Sequence, residues 1–291
     1  MLDDVDPDLQ QAFLDKQATL ELARKAGIGA PSYWPVTSPS DIEPLRGKAR
    51  FPVMVKPRHS HKFSKIFGRK LFIVEDSFEK LEERLRLALD HGLEMMVVEM
   101  IPGPDDLLSS YYTYYGKAGE KLFGFTKRVI RRFPVNRGNT CLHETAWLPD
   151  TAAAGETFFK AAGLRGLGNI EFKRDRRDGL LKIIEVNARI TAAQELVRRS
   201  GVPIDLMIYC HLTGQPLPEA TQGGEGLRMW YPLRDFLSAC QMFRRGQLSP
   251  WRYLWSLPLL RPVFPLLSFG DMGPIGGALA GLAGRLKVVL K

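Results

Sequence analysis

The chain has 291 residues, a net charge of +9, 45% apolar and 25% charged side chains. That length exceeds a stapled mini-protein and is long for one compact core, so two packed lobes are expected, and the composition excludes a disordered chain. The charge is uneven: residues 241–291 hold Arg244, Arg245, Arg252, Arg261, Arg285, Lys287 and Lys291 against the single acid Asp271, a net +6 that leaves +3 for the first 240 residues.

The three cysteines, Cys141, Cys210 and Cys240, are far apart and form no C-x-x-C pair. A disulfide framework or structural zinc site is not expected, and a reducing, cytoplasmic setting fits best. The acidic opening residues lack the apolar run of a signal peptide. No stretch reaches the roughly 18 apolar residues of a membrane span. The basic tail has neither zinc-ligand spacing nor a heptad seam, so no nucleic-acid partner is expected.

In chain order, residues 8–26 read as one helix, with Leu9, Phe13, Leu20 and Ala23 at helical spacing and Gly27 as a stop. Residues 53–56 read as a buried strand closed by Pro57. Lys56 at its end is either a snorkelling strand end or a cation aimed into a cleft. Residues 57–70 are polar and basic without a pattern and read as a loop. Its charged side chains Arg58, Lys62, Lys65, Arg69 and Lys70 share one sign, which suits a polyphosphate partner. His59 and His61 alternate without a third metal ligand and read as loop residues. Residues 76–79 have capping-box form and open a helix buried through Phe78, Leu81, Leu85 and Ala88. Residues 95–101 read as a second buried strand. Its end, Glu99-Met100-Ile101, is either a plain strand end or a hinge meeting a nucleobase edge, with Asp105 or Asp106 reaching a ribose.

Residues 109–115 and 121–130 suggest an antiparallel pair, followed by a helix near 153–163, strands at 168–175 and 181–187, and a helix at 203–213. The composition changes after Gly214. Irregular alternation with hairpins favours an α+β fold over a doubly wound parallel sheet.

The chemistry concentrates in residues 168–189. Two registers compete around Asp178-Gly179. A two-residue turn puts Glu171 and Glu185 on opposite faces. A three-residue loop sets 171 against 185 and 169 against 187, so that Glu171, Glu185 and Asn187 share a face while Ile184 and Val186 enter a core. In that second register two opposed carboxylates and an amide oxygen form a hard-oxygen site suited to Mg²⁺. The alternative is an exposed hairpin face with its like charges spread by twist. Arg128, Arg131, Arg132 and Arg189 lie nearby as candidates for stabilising a developing phosphoryl or acyl-phosphate charge. No G-x-x-x-x-G-K-[ST] loop, G-x-G-x-x-G turn after a strand or G-x-S-x-G elbow is present.

Five segments together resemble the ATP-grasp superfamily, in its order. They are Asp15-Lys16 with residues 25–31, residues 51–57 with Lys56, residues 98–103 with Asp106 seven residues beyond Glu99, Glu171-Phe172, and residues 184–189. The wording of residues 55–60 and 171–179 is most similar to the carboxylate–amine ligase branch. The resemblance covers roughly residues 12–213. It implies a lobe over 1–98, a lobe over 99–215 and an extension over 216–291. It implies ATP as cofactor with Mg²⁺, or alternatively Mn²⁺. Lys16, Lys56, Arg58 and Lys62 would hold phosphates, Glu99, Met100 and Ile101 the adenine, and Asp106 the ribose. Glu171, Glu185 and Asn187 would hold the metal, with Arg128 and Arg189 catalytic.

The implied reaction joins a small-molecule carboxylate to an amine, or to a thiol, through an acyl phosphate. The alternatives are an ATP- and Mg-binding protein without ligase activity and a phosphotransferase to a stable acceptor. The sequence departs from the family pattern in two ways. Only a short segment precedes the first helix, where family members carry a further α/β domain. The loop after Lys56, glycine-rich in the family, holds only Gly68 here. In the tail, Trp251, Tyr253, Trp255, Leu259, Leu260 and Phe264 interleave with Arg252 and Arg261. That pattern suggests a peripheral contact at the inner membrane face, or else a segment packed on the catalytic lobe.

Overall fold

The computed structural model describes residues 5–58, 60–220, 225–259, 262–265, 273 and 277. His59, Leu260, Arg261 and the charged tail residues from Asp271 onward lie outside the described residues, as does the side chain of His61.

The chain opens with α1 (Pro7–Leu14) and α2 (Lys16–Lys25). The sequence pattern predicts one helix here. Asp15 breaks it: its backbone is extended and its carboxylate accepts from the N–H groups of Gln17 and Ala18, capping α2. The break leaves Lys16 at the first position of α2, beside the cap.

A four-stranded antiparallel sheet follows, in the order β1 (Tyr33–Val36), β4 (Met95–Glu99), β2 (Val53–Pro57) and β3 (Phe72–Val74). Helices α3 (Ser60–Phe67) and α4 (Phe78–Leu89) are inserted between its strands. Val53, Val55 and Val97 bury against Leu81, Leu85 and Phe63 of these helices. Met54 alternates to the other side, where it packs with the second lobe, and Lys56 shares its face. The cap of α4 is Ser77, one residue later than the pattern suggests.

The segment expected to be a loop after Pro57 is largely helical. Phe63 and Phe67 stack on each other and on Phe72, with ring centroids 4.7 to 5.1 Å apart. Phe63, Ile66 and Phe67 fall at the spacing of a helix face, a pattern masked by the density of basic residues. Burying Phe63 completely contributes about 2–3 kcal/mol, enough to hold so short a helix.

The second sheet is six-stranded and antiparallel. Its elements are β5 (Leu108–Tyr115), β6 (Lys121–Phe133), β7 (Asn139–Thr145), β8 (Gly166–Arg174), β9 (Leu181–Asn187) and β10 (Arg228–Trp230), in the order β10-β7-β6-β5-β8-β9. One face packs Ile170, Phe172, Ile183 and Val186 against α5 (Pro149–Ala161), α1 and α2. The other carries Tyr112, Tyr114 and Phe125 against α6 (Gln194–Arg199) and α7 (Ile204–Thr213). The two sheets and their helices are the α+β arrangement expected from the sequence.

Two expected boundaries shift in meaning. Leu9, Phe13, Leu20 and Ala23 share a core with Phe158 and Phe159 of the second lobe. Residues 5–26 therefore belong to it by packing, although they precede the first lobe. Gly29 continues the docking: a parallel bridge joins it to Lys182, and a Cβ there would lie 2.5 Å from the Leu181 carbonyl oxygen. The composition change after Gly214 also marks no separate unit, because β10 extends the six-stranded sheet through β7.

Helices α8 (Pro232–Arg244) and α9 (Pro250–Ser256) are tied to that sheet by a buried ion pair. Arg131 donates to both oxygens of Asp235, at 2.6 and 2.9 Å, and to Ser256 Oγ at 2.7 Å, and Trp230 Nε1 donates to Asp235 at 3.0 Å. Truncating Asp235 leaves the Arg131 guanidinium buried without its counter-ion. Asp235→Ala is expected to cost about 3–5 kcal/mol of folding free energy, measured by urea denaturation.

Candidate functional site

The register of the six-stranded sheet decides which side chains meet. Across five strands, Thr145, Lys127, Ser110, Glu171 and Glu185 form one row of direct partners and so project from the same face. The neighbouring row is Glu144, Arg128, Ser109, Phe172 and Ile183, which projects from the opposite face. Asn169 and Asn187 are direct partners two residues along from the glutamates and share their face.

The opposition of Glu171 and Glu185 matches the second predicted register, but the turn that produces it does not. Asp175 and Leu180 close a four-residue turn, with Gly179 at φ +73°. Pairing in that stretch is Arg174 with Leu181 and Phe172 with Ile183. A bulge at the Glu171/Phe172 step then adds a residue on β9 and restores the 171–185 pairing. The bulge also corrects the core assignment. Ile183 is fully buried, whereas Ile184, expected in the core, is only half-buried.

Burial pushes the Glu171 carboxyl above its ordinary range. Lys127 opposes that shift, and Glu185 adds to it. A carboxylate in this position needs cations. Lys127 is 2% exposed, with Nζ 3.1 Å from Ser110 Oγ, and burial lowers its pKa while Glu171 raises it. His143, on β7, is also buried. Burial and then the Lys127 charge hold its pKa well below the usual imidazole value, so it is neutral near pH 7. Two buried polar atoms in this part of the sheet, His143 Nδ1 and Asn169 Oδ1, have no hydrogen-bond partner among the described residues. Asn169 does donate to the Tyr111 carbonyl at 3.2 Å.

Lys16 and Lys56 approach Glu185 from α2 and β2. Burial above all, and then the Lys16 charge, bring the Lys56 pKa down to about 8, with Glu185 offsetting part of the effect. Lys16 is shifted down in the same way, with Glu185 and Asp15 in its favour and Lys70 against it. Two ammonium groups thus flank Glu185 from outside the sheet.

The hinge is built around Glu99. Its carboxylate accepts from Ser32 N–H at 3.1 Å and from Arg177. Burial alone would raise its pKa, but those two donors and the Lys182 charge outweigh it and keep the group ionised. This side chain is committed to joining the lobes, so an adenine ring would meet the backbone of residues 99–101 rather than the Glu99 carboxylate. Of the two acids beyond it, Asp105 is buried, accepting from Arg132 Nε at 2.8 Å and Asn136 N–H at 2.9 Å. Asp106 is exposed. Lys173, two residues along β8 from Glu171, donates to the Gly103 carbonyl at 2.6 Å and closes the hinge onto the second sheet.

Other expected residues are placed elsewhere. Arg128 projects from the opposite face and donates to Glu144 at 2.7 Å, which it shares with Arg228. That placement removes it from the glutamate cluster. Its neighbour Lys127 stands there instead, which no sequence signal short of the β5 registers identifies. Arg131 is spent on Asp235 and Arg132 on Asp105. Arg58 is half-exposed and bridges Glu94 at 2.9 Å and Asp15 at 3.4 Å. Lys62 lies exposed on α3. Arg189 follows β9, exposed and near enough to Glu171 to lower its pKa.

The donor set suits a hard cation: two carboxylates, the Asn187 amide and the unpartnered Asn169 Oδ1. No group of three or more His, Cys, Asp or Glu with metal-site geometry occurs among the described residues, so such an ion would need amide, phosphate or water oxygens as well.

No family model and no curated protein matches this chain. Solved structures do. N5-carboxyaminoimidazole synthetase from Staphylococcus aureus complexed with ADP superposes with a TM-score of 0.56 at 18% identity, over 72% of this chain and 54% of that one. Phosphoribosylamine–glycine ligase from Thermotoga maritima gives 0.57 at 16%, over 76% and 59%. L-amino acid ligase from Bacillus licheniformis gives 0.50 at 18%, over 70% and 48%. The chain has the ATP-grasp fold. It spans about half the length of these ligases.

The hinge depends on Asp175. It is fully buried and binds Arg177 and Lys182 at once, with Arg177 also holding Glu99. Above all the Arg177 hydrogen bonds, and then Lys182, hold its carboxyl far below the usual range despite burial. A depressed folded-state pKa gives stability that is complete above the unfolded value, about 4, and is lost as pH falls below it. Asp175→Asn is expected to cost about 2 kcal/mol at pH 7 and to flatten the decline in melting temperature below pH ~4.

Proposed function

We propose that this protein is an ATP-dependent ligase that joins a small-molecule carboxylate to an amine through an acyl phosphate. The observation that carries the reading is the row Lys127–Ser110–Glu171–Glu185 facing Lys16 and Lys56. It brings together acids suited to a cation and ammonium groups suited to a polyphosphate. The ADP complex of a structural neighbour supports a nucleotide there.

Lys16 and Lys56 hold the phosphates, the backbone of residues 99–101 meets the adenine, and Asp106 accepts from the ribose hydroxyls. Mg²⁺ or Mn²⁺, held by Glu171, Glu185 and Asn187, would neutralise phosphate charge when bound. The substrate carboxylate oxygen attacks the γ-phosphorus and ADP leaves. The amine nitrogen then attacks the acyl carbon, phosphate leaves, and the nitrogen gives up a proton. Phosphoryl transfer asks mainly for positioning and charge neutralisation. Lys127, desolvated beside Glu171, is placed to stabilise charge developing on the acyl phosphate, with Arg189 at the outer edge.

Glu185→Gln is expected to abolish Mg²⁺-dependent ADP release with an unchanged circular dichroism spectrum. Lys127→Met is expected to lower turnover by a hundredfold or more, whereas Arg128→Ala changes it only a few-fold. Equal losses in the two variants would refute the facial assignment. Hydroxylamine in place of the amine, tested against a panel of carboxylates, separates the classes. Acid-dependent hydroxamate marks the ligase, nucleotide binding without turnover marks a binding protein, and a stable phosphorylated product marks a phosphotransferase.

The Lys56 shift gives a binding signature. An ammonium with a pKa near 8 is mostly deprotonated at pH 9, and a phosphate raises its pKa. ADP binding is therefore expected to take up protons increasingly as pH rises through 8. Calorimetry in buffers of different ionisation enthalpy measures this, and Lys56→Met should remove the pH-dependent part.

A further inference from the structure

The helices α8 and α9 expose an apolar and cationic surface that the ligase reaction does not use. On α8, Leu233, Phe236 and Leu237 stand at i, i+3 and i+4, opposite buried Asp235, Ser238 and Ala239. On α9, Trp251, Leu254 and Trp255 repeat that spacing, with Trp251 74% and Trp255 86% exposed, and Leu259 follows at 77%. These seven are nearly half of the exposed large apolar side chains among the described residues. Both helices are anchored to one side chain, since Arg131 binds Asp235 of α8 and Ser256 of α9. The surface is therefore held by the sheet. Tyr253 turns inward, its ring 5.9 Å from that of Phe243 and beneath the Arg131 guanidinium, and Phe264 stacks on Trp230. The helices thus divide the tail's aromatic residues into an inward set that fixes them and an outward set with no use in the fold.

Charge identifies the partner. Over residues 232–259 every exposed charged side chain is an arginine: Arg234, Arg244, Arg245 and Arg252. The one acid, Asp235, is buried against Arg131. A second copy would bring like charge against like charge. Tryptophan and leucine projecting from short amphipathic helices, bordered by arginine and free of acids, match an anionic lipid headgroup layer. No helix among the described residues is long and apolar enough to cross a membrane, so contact would be at the surface. We propose that α8 and α9 form a docking surface for anionic bilayers, with Trp251, Leu254 and Trp255 entering the headgroup region and Arg234, Arg244, Arg245 and Arg252 meeting lipid phosphates.

The full chain is tested by co-sedimentation with vesicles of phosphatidylcholine alone and of phosphatidylcholine mixed with phosphatidylglycerol. Binding is expected only to the mixed vesicles and should weaken with salt. Tryptophan emission should shift to the blue and be quenched by brominated acyl chains, a readout that needs no variant. Trp251→Ala with Trp255→Ala, both at exposed positions, should lower binding tenfold or more, as should Arg244→Glu with Arg245→Glu. No binding to the mixed vesicles overturns the proposal, and so does binding unaffected by either pair. A dimer formed without lipid and abolished by the tryptophan pair would assign the surface to a second copy instead.

Discussion

Glu171 and Glu185 stand directly opposite each other on adjacent strands, and the site is organised around the cost of that pairing. Like charges at cross-strand distance repel, and burial of Glu171 adds to the penalty. The structure answers with Lys127 two strands away and with Lys16 and Lys56 from the facing elements. Those lysines are themselves desolvated. Burial of Glu171, Lys127, Lys16 and Lys56 disfavours their charged forms, and the opposite charges beside them offset part of that cost. A polyphosphate with its divalent cation satisfies both sets, which is the physical content of the proposed ligase site.

A second set of charges holds the lobes in register. Asp175, Arg177, Lys182 and Glu99 connect the β8–β9 turn to the end of β4, and Lys173 joins the same sheet to the Gly103 carbonyl. Glu99, Arg177 and Lys182 line a cavity together with Ser32, Trp34 and Asp178. The Glu99 carboxylate, expected to meet a nucleobase, is instead held by Arg177 and the Ser32 N–H. Arg131 with Asp235 does comparable work elsewhere on the sheet, holding α8 to it beside β10.

A helix stands after Lys56 where the resemblance leads one to expect a glycine-rich loop. Phe63 and Phe67 pin α3 to β3, so Lys62 and Lys65 are displayed from a packed element. Basic side chains on a fixed helix trade the backbone contacts of a closing loop for electrostatic attraction.

Much of this was legible in the sequence because it rests on short-range pattern. Short apolar runs marked β2 and β4, the Asp178-Gly179 turn signal marked the β8–β9 pair, helical spacing marked α4, and acids and an amide on neighbouring strands marked the metal-suited hairpin. What the sequence could not supply was register between strands distant in the chain. Arg128 and Lys127 are adjacent, equally basic and on one strand, and only the pairing of β5 with both β6 and β8 decides which faces Glu171. The bulge that sets Glu185 opposite Glu171 and the burial of Ile183 over Ile184 are likewise settled by tertiary packing. Composition and local periodicity determined that this chain would fold as α+β lobes around a charged hairpin. Only the sheet decided which charges share its face, because side chains alternate and a shift of one residue reverses every one of them.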